Sequence, residues 1–106
     1  MALKKIGLQT VKFQNPPSIV STYTIVGPKE GEGPLKDYFD YILEDDTWGQ
    51  ASFEKAEAKI QEETIKAAIT NGNLTNQDID YLLAGDLLNQ IISSTYTARQ
   101  LSIPYY

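Results

Sequence analysis

Between residues 52 and 71 the apolar positions recur at helical spacing. Phe53, Ala56, Ile60 and Ala67 share one face, widened by Ile65, Ala68 and Ile69, while Lys55, Lys59, Glu62, Glu63 and Lys66 occupy the other. The pattern predicts a long amphipathic helix capped by Ser52, with the Glu54 carboxylate near the positive end of its dipole. Glu62 and Lys66 stand four apart in the order that favours an ion pair. Asn71-Gly72 supplies a stop, with Gly72 expected at the position that takes positive φ. Thr75-Asn76-Gln77-Asp78 then has the form of a capping box. Residues 81–84 (Tyr-Leu-Leu-Ala) form a short apolar run ending at Gly85-Asp86. Helix, tight turn and buried strand in that order make half of a crossover, the unit of layered α/β proteins.

The same reading extends to both sides. Leu88, Ile91, Ile92, Thr95 and Ala98 fall on one face of a predicted helix over 89–101, and Ser94 and Ala98 would let another element approach closely. Pro104 ends that helix, and Tyr105-Tyr106 begins a further strand. Upstream, residues 1–7 form a loosely attached lead, and 10–13 alternate as an edge strand broken by Pro16-Pro17. Residues 20–26, rich in β-branched side chains, predict a strand in the same sheet as 81–84. The Gly-rich stretch 27–34 lacks the Gly-Lys-Ser/Thr ending of a phosphate loop and reads as a connection. Residues 35–48 mix aromatic and acidic side chains, with Phe39, Ile42 and Leu43 suggesting one short helical segment.

Composition narrows the function. The chain has 106 residues and a net charge of -5, and Arg99 is its single arginine, which argues against nucleic acid as a partner. No apolar run is long enough to span a bilayer, and the chain is expected to be soluble and intracellular. It contains no Cys and no His. Those absences remove a Cys nucleophile, a Ser-His-Asp triad and the common zinc sites from these residues, so no catalytic residue, metal ligand or cofactor is assigned. The acids of 37–46 lack the spacing of a calcium loop and read as solvated surface.

The best candidate for binding is the carboxyl end of strand 81–84, where open α/β sheets place their ligands. Asp86 stands there, with Asn89 and Gln90 opening the next helix. Two readings of Asp86 stay open: a ligand contact, through a cation or a ligand hydrogen, and a cap for the helix N-terminus.

Four strings carry a resemblance: Phe13-Gln14-Asn15-Pro16-Pro17, the stretch 27–37 (GPKEGEGPLKD), the stretch 84–94 (AGDLLNQIISS) and the stretch 98–105 (ARQLSIPY). Together they resemble the N-terminal region of the stage V sporulation protein AD family. The helix-strand order of 52–84 is also similar to thiolases and ketoacyl synthases. The resemblance implies an α/β chain forming the N-terminal part of a thiolase-like fold, a mixed sheet with packed helices, with 1–106 as a single partial domain. The pocket Cys and His of the family would lie beyond residue 106. It implies a non-enzymatic role: binding dipicolinic acid, alone or with calcium, and assisting a membrane channel complex that loads it into the developing spore. The implied partners are the other stage V channel proteins and a second copy in a homodimer, and the implied location is cytoplasmic or peripheral at the spore inner membrane. The competing expectations are a structural or dimerisation module without ligand, and a degenerate condensing enzyme.

Overall fold

The computed structural model describes residues 5–88 and 91–106. Its largest element is helix α1, Phe53–Asn71, and it forms for the reasons the sequence gives. Ser52 is extended and its hydroxyl accepts the backbone N–H of Lys55 at 3.2 Å. Glu62 and Lys66 pair at 2.6 Å on the outer face.

The helix ends at Asn71 as expected, but the left-handed residue follows one position later than expected. Gly72 has φ -83°, an ordinary value, and the left-handed residue is Asn73 at φ 56°. Leu74 N–H reaches back to the Ile69 carbonyl and Asn73 N–H to that of Thr70, the two bonds of a Schellman motif. Asn tolerates this conformation because its short polar side chain bonds locally, so the glycine beside it is not needed for it. Gly72 matters through space instead: a Cβ there would stand 3.0 Å from Ser21 Oγ. The capping box follows as expected, with Thr75 and Asp78 exchanging bonds around the 3-10 turn Asn76–Asp78.

The chain then runs extended. Leu82 N–H donates to the Pro104 carbonyl at 2.6 Å, and Tyr106 N–H donates to the Leu82 carbonyl at 2.7 Å. Ala84 N–H bonds the Tyr106 carbonyl at 3.3 Å, so the strand expected over 81–84 is reduced to a short extended strand, 82–84, held in parallel to 104–106 around the single bridge of Leu82 with Tyr105. Between them lies helix α2, Ile92–Leu101. It starts at Ile92, later than the expected 89, because Ile91 is left-handed and ends the connection before it; Asn89 and Gln90 lie outside the described residues.

Helices α1 and α2 pack side by side. Ser93 Oγ donates to the Glu54 carbonyl at 3.1 Å and Thr97 Oγ1 to the Ala58 carbonyl at 3.1 Å. Both pairs are separated by 39 residues, so the helices point the same way. Strand 82–84 returns between them in sequence, which is the β-α-β connection of an α/β layer. The buried face of α2 is Ser93, Ser94, Thr97, Ala98 and Leu101. This corrects the face expected from large apolar residues, since Leu88, Ile91, Ile92 and Thr95 are exposed and only Ala98 is shared. Small side chains win because the two helix backbones approach closely enough for hydroxyls to bond across. The remaining buried apolar side chains are Leu43, Ala56 and Ile103.

The N-terminal half departs further from expectation. Strand β1, Lys5–Ile6, lies inside the supposed loose lead and pairs antiparallel with β2, Thr10–Val11. Of the strand expected over 20–26, only β3, Ile25–Val26, forms, and it pairs in parallel with β4, Tyr41–Ile42. It therefore does not share a sheet with 82–84 among the described residues. The short helix expected around Phe39, Ile42 and Leu43 is replaced by a 3-10 turn, Lys36–Tyr38, and by β4. The Asp40 carboxylate explains this: it accepts the Thr24 N–H at 2.7 Å and the Thr24 hydroxyl at 2.9 Å, which stitches the two extended segments together. The result is α/β, with separate two-stranded pairings in place of the single mixed sheet that was expected.

Candidate functional site

The Gly85-Asp86 turn lies where strand 82–84 gives way to α2. The Asp86 carboxylate reaches forward over this connection. One oxygen accepts the Ile91 N–H at 3.0 Å, and the other accepts the Ser94 N–H at 2.9 Å and the Ser94 hydroxyl at 2.8 Å. These are N–H groups that the first turn of a helix leaves without intrahelical partners. The capping reading of Asp86 is thus the one the geometry displays. Behind the turn, Gln61 of α1 donates from Nε2 to the Gly85 carbonyl at 3.3 Å, which fixes the turn against the long helix. Ile91, a β-branched residue, sits at φ 61° and is held there by the Asp86 bond. Asn89 and Gln90, the other expected site residues, lie outside the described residues, so Asp86 alone of the three is located.

A second concavity was not foreseen from the sequence. An open cleft of about 520 Å³ runs between the outer sides of α1 and α2, with Lys55 and Lys59 on one wall and Ile92, Tyr96 and Gln100 on the other. Lys59 Nζ donates to the Trp48 carbonyl at 3.3 Å and stands 4.5 Å from the centre of its ring. Trp48 also stacks on Tyr41 at 5.9 Å, so the 35–51 segment is clasped to α1. The signal available in the sequence was a pair of i,i+4 spacings, Lys55 with Lys59 and Tyr96 with Gln100. Glu54 and Glu62 at the same cleft offset the two lysines.

Two ionisable groups are shifted by their contacts. The Thr47 hydroxyl, with the Thr47 and Gly49 N–H groups, holds the Asp45 carboxyl below the usual carboxylate range. The hydrogen bond to Glu62 raises Lys66. Both groups are exposed and structural, and neither faces the turn or the cleft. Within 37–46, Asp40 accepts the N–H and hydroxyl of Thr24, and Asp45 accepts those of Thr47 and the Gly49 N–H. Among the described residues no group of three acidic side chains is gathered as a metal site requires, and no helix is long and apolar enough to cross a membrane.

A family model described as stage V sporulation protein AD matches residues 7–106. The stage V sporulation protein AD of Bacillus subtilis (strain 168) is 44% identical over 103 residues, which is 97% of this chain and 30% of the relative. The chain belongs to the stage V sporulation protein AD family. The match takes in every element described here from β2 onward, including the capped turn at Asp86 and the α1–α2 pair. The chain spans less than a third of the relative's length.

Proposed function

We propose that this chain is the part of a stage V sporulation protein AD that frames one wall of a pocket for dipicolinic acid, bound alone or as its calcium complex. A sporulation role comes with family membership, and the match over 7–106 is the observation that carries the reading. The ligand, the channel complex that would take it up at the spore inner membrane, the homodimer and the thiolase-like fold come from the resemblance of the strings at 13–17, 27–37, 84–94 and 98–105. A binding role in place of catalysis is favoured within these residues by the lack of Cys and His.

In this reading the labour at the turn is divided. Dipicolinate is a planar dianion and is recognised by donors. Asp86 is a poor contact for it because its oxygens already accept bonds from α2. It acts as the positioning residue that sets the turn, and the side-chain amides of Asn89 and Gln90 supply the donors. A small-ligand pocket buries most of its ligand, and one strand end furnishes only part of that enclosure.

Titration calorimetry tests this with and without Ca²⁺, on the 106-residue chain and on a family-length protein carrying it. Binding is expected in the long form, weakened by Asn89→Ala and Gln90→Ala, and weak or absent in the short one. No binding by the long form would remove the ligand reading. Equal binding by both would place the whole site within these residues, with the α1–α2 cleft as the alternative location.

A further inference from the structure

Asn71 and Gly72, where α1 ends, carry a chemistry that helix capping leaves unused. The backbone nitrogen that follows an asparagine can attack the side-chain carbonyl carbon and close a five-membered imide. Glycine is the most permissive neighbour for this step, because it has no Cβ to crowd the attack and its φ and ψ are free. Asn71 is the asparagine of this chain that precedes a glycine. Asn73 precedes Leu74, Asn76 and Asn89 precede Gln77 and Gln90, and Asn15 precedes Pro16, which has no N–H to react. Asn71 is exposed, so water and hydroxide reach it.

The fold holds the pair out of reaction. Asn71 is the last residue of α1, and a helical ψ keeps the next nitrogen away from the side chain. The Gly72 N–H is occupied as well, donating to the Ala68 and Ile69 carbonyls at 3.2 Å each. Beyond it, the Asn73 and Leu74 N–H groups are tied to the Thr70 and Ile69 carbonyls at 3.0 and 3.1 Å. All of these bonds lie in the final turn and its cap, and helix ends open at far less cost than the whole fold.

We propose that Asn71 is a site of spontaneous deamidation whose rate is set by the opening of the last turn of α1. When the turn opens, the Gly72 nitrogen gives its proton to hydroxide and attacks Asn71 Cγ. A C–N bond forms, the bond from Cγ to Nδ2 breaks, and the side-chain nitrogen takes a proton from water and leaves as ammonia. Water then opens the imide at either carbonyl. Attack at Cγ leaves an ordinary aspartate. Attack at the backbone carbon routes the main chain through the side chain and lengthens it by one carbon. Neither product suits the native end. The aspartate puts a negative charge at the negative pole of the helix. The longer main chain displaces the Asn73 and Leu74 N–H groups from the carbonyls that hold them. The change runs one way, so α1 ends more loosely after it, whatever ligand the whole protein takes.

The test follows the 106-residue chain in mildly alkaline buffer, folded and in urea, with peptide mass spectrometry locating each amide that becomes an acid. Asn71 should convert ahead of Asn73, Asn76 and Asn89 in both states. In the folded chain it should convert at least about tenfold more slowly, which corresponds to an opening cost of about 1.4 kcal/mol or more. Asn73→Ala strains the left-handed residue that follows the helix. It should speed conversion at Asn71 at least about threefold in the folded chain and leave the rate in urea unchanged, with circular dichroism showing that the variant stays folded. Asn71→Gln should abolish the signal at 71. Equal rates in the folded and unfolded chain would overturn the proposal, as would earlier conversion at Asn73, Asn76 or Asn89. A folded-state rate that ignores Asn73→Ala would show that the last turn does not control the reaction, and would overturn it too.

Discussion

Asp86 and Ser94 are eight residues apart and are joined twice, through the Ser94 N–H at 2.9 Å and its hydroxyl at 2.8 Å. The carboxylate caps α2 from before the turn, outside the ordinary position immediately preceding a helix. It thereby closes the loop that connects strand 82–84 to α2. The identity of residue 86 is thus a condition for where α2 begins.

Replacing Asp86 by Ala should cost about 2 kcal/mol, since charge-assisted caps contribute more than neutral ones. Asp86→Asn should cost less, because the amide keeps one acceptor. Ile91→Gly should return part of the loss by removing the left-handed penalty of a β-branched residue. Urea denaturation followed by far-UV circular dichroism reads all three. An unchanged midpoint for Asp86→Ala would mean that another group takes over the cap.

The α1–α2 seam should respond to volume more than to polarity. Thr97 is 1% exposed and Ser93 fully buried, and each donates across the seam to a carbonyl of α1. Those carbonyls lie in the interior of α1, where intrahelical N–H groups also bond them. Thr97→Val should therefore cost only about 1 kcal/mol. Ser93→Leu adds two heavy atoms to a side chain with no room for them and should cost about 3 kcal/mol or separate the helices. Equal effects of the two substitutions, measured as denaturation midpoints, would contradict close backbone approach.

At the end of α1 the sensitive residue should be Asn73. Asn73→Val should cost about 1–2 kcal/mol through its left-handed φ, and Asn73→Gly should be neutral or stabilising. Gly72→Ala should be harmful only through Ser21, whose hydroxyl bonds the Ala68 carbonyl at 2.5 Å. Combining Gly72→Ala with Ser21→Ala should cost less than the sum of the two changes. Strict additivity in that double-mutant cycle would remove Ser21 as the obstacle.

The parts of the fold that were legible in the sequence are those decided within a few residues. Ser52, the Glu62–Lys66 pair and the Thr75–Asp78 box depend on neighbours three or four positions away. The left-handed residue was misplaced by one position because Asn and Gly both tolerate it, and backbone bonds chose between them. The buried face of α2 was illegible for a different reason. Periodicity ranks Ile and Leu above Ser and Thr, but the carbonyls of α1, 39 residues away in sequence, reward a hydroxyl. The strand at Tyr41–Ile42 depends on Asp40 meeting Thr24, a contact 16 residues long that no local pattern announces. At the candidate site the two roles of Asp86 could be written down from the sequence, but separating them required the positions of the Ile91 and Ser94 N–H groups.

The common direction of α1 and α2 has an electrical consequence. Each helix carries about half a positive charge at its start and half a negative charge at its finish. Antiparallel neighbours would cancel these poles, whereas here they add. Both starts, near Ser52 and Ile91, lie at the end of the molecule where strand 82–84 finishes, and both finishes, near Asn71 and Leu101, lie at the other. A chain of net charge -5 is therefore polarised along its helices. Glu54 and Asp86 stand at the positive pole, and at the negative one the Asn76 amide donates to the Leu101 carbonyl.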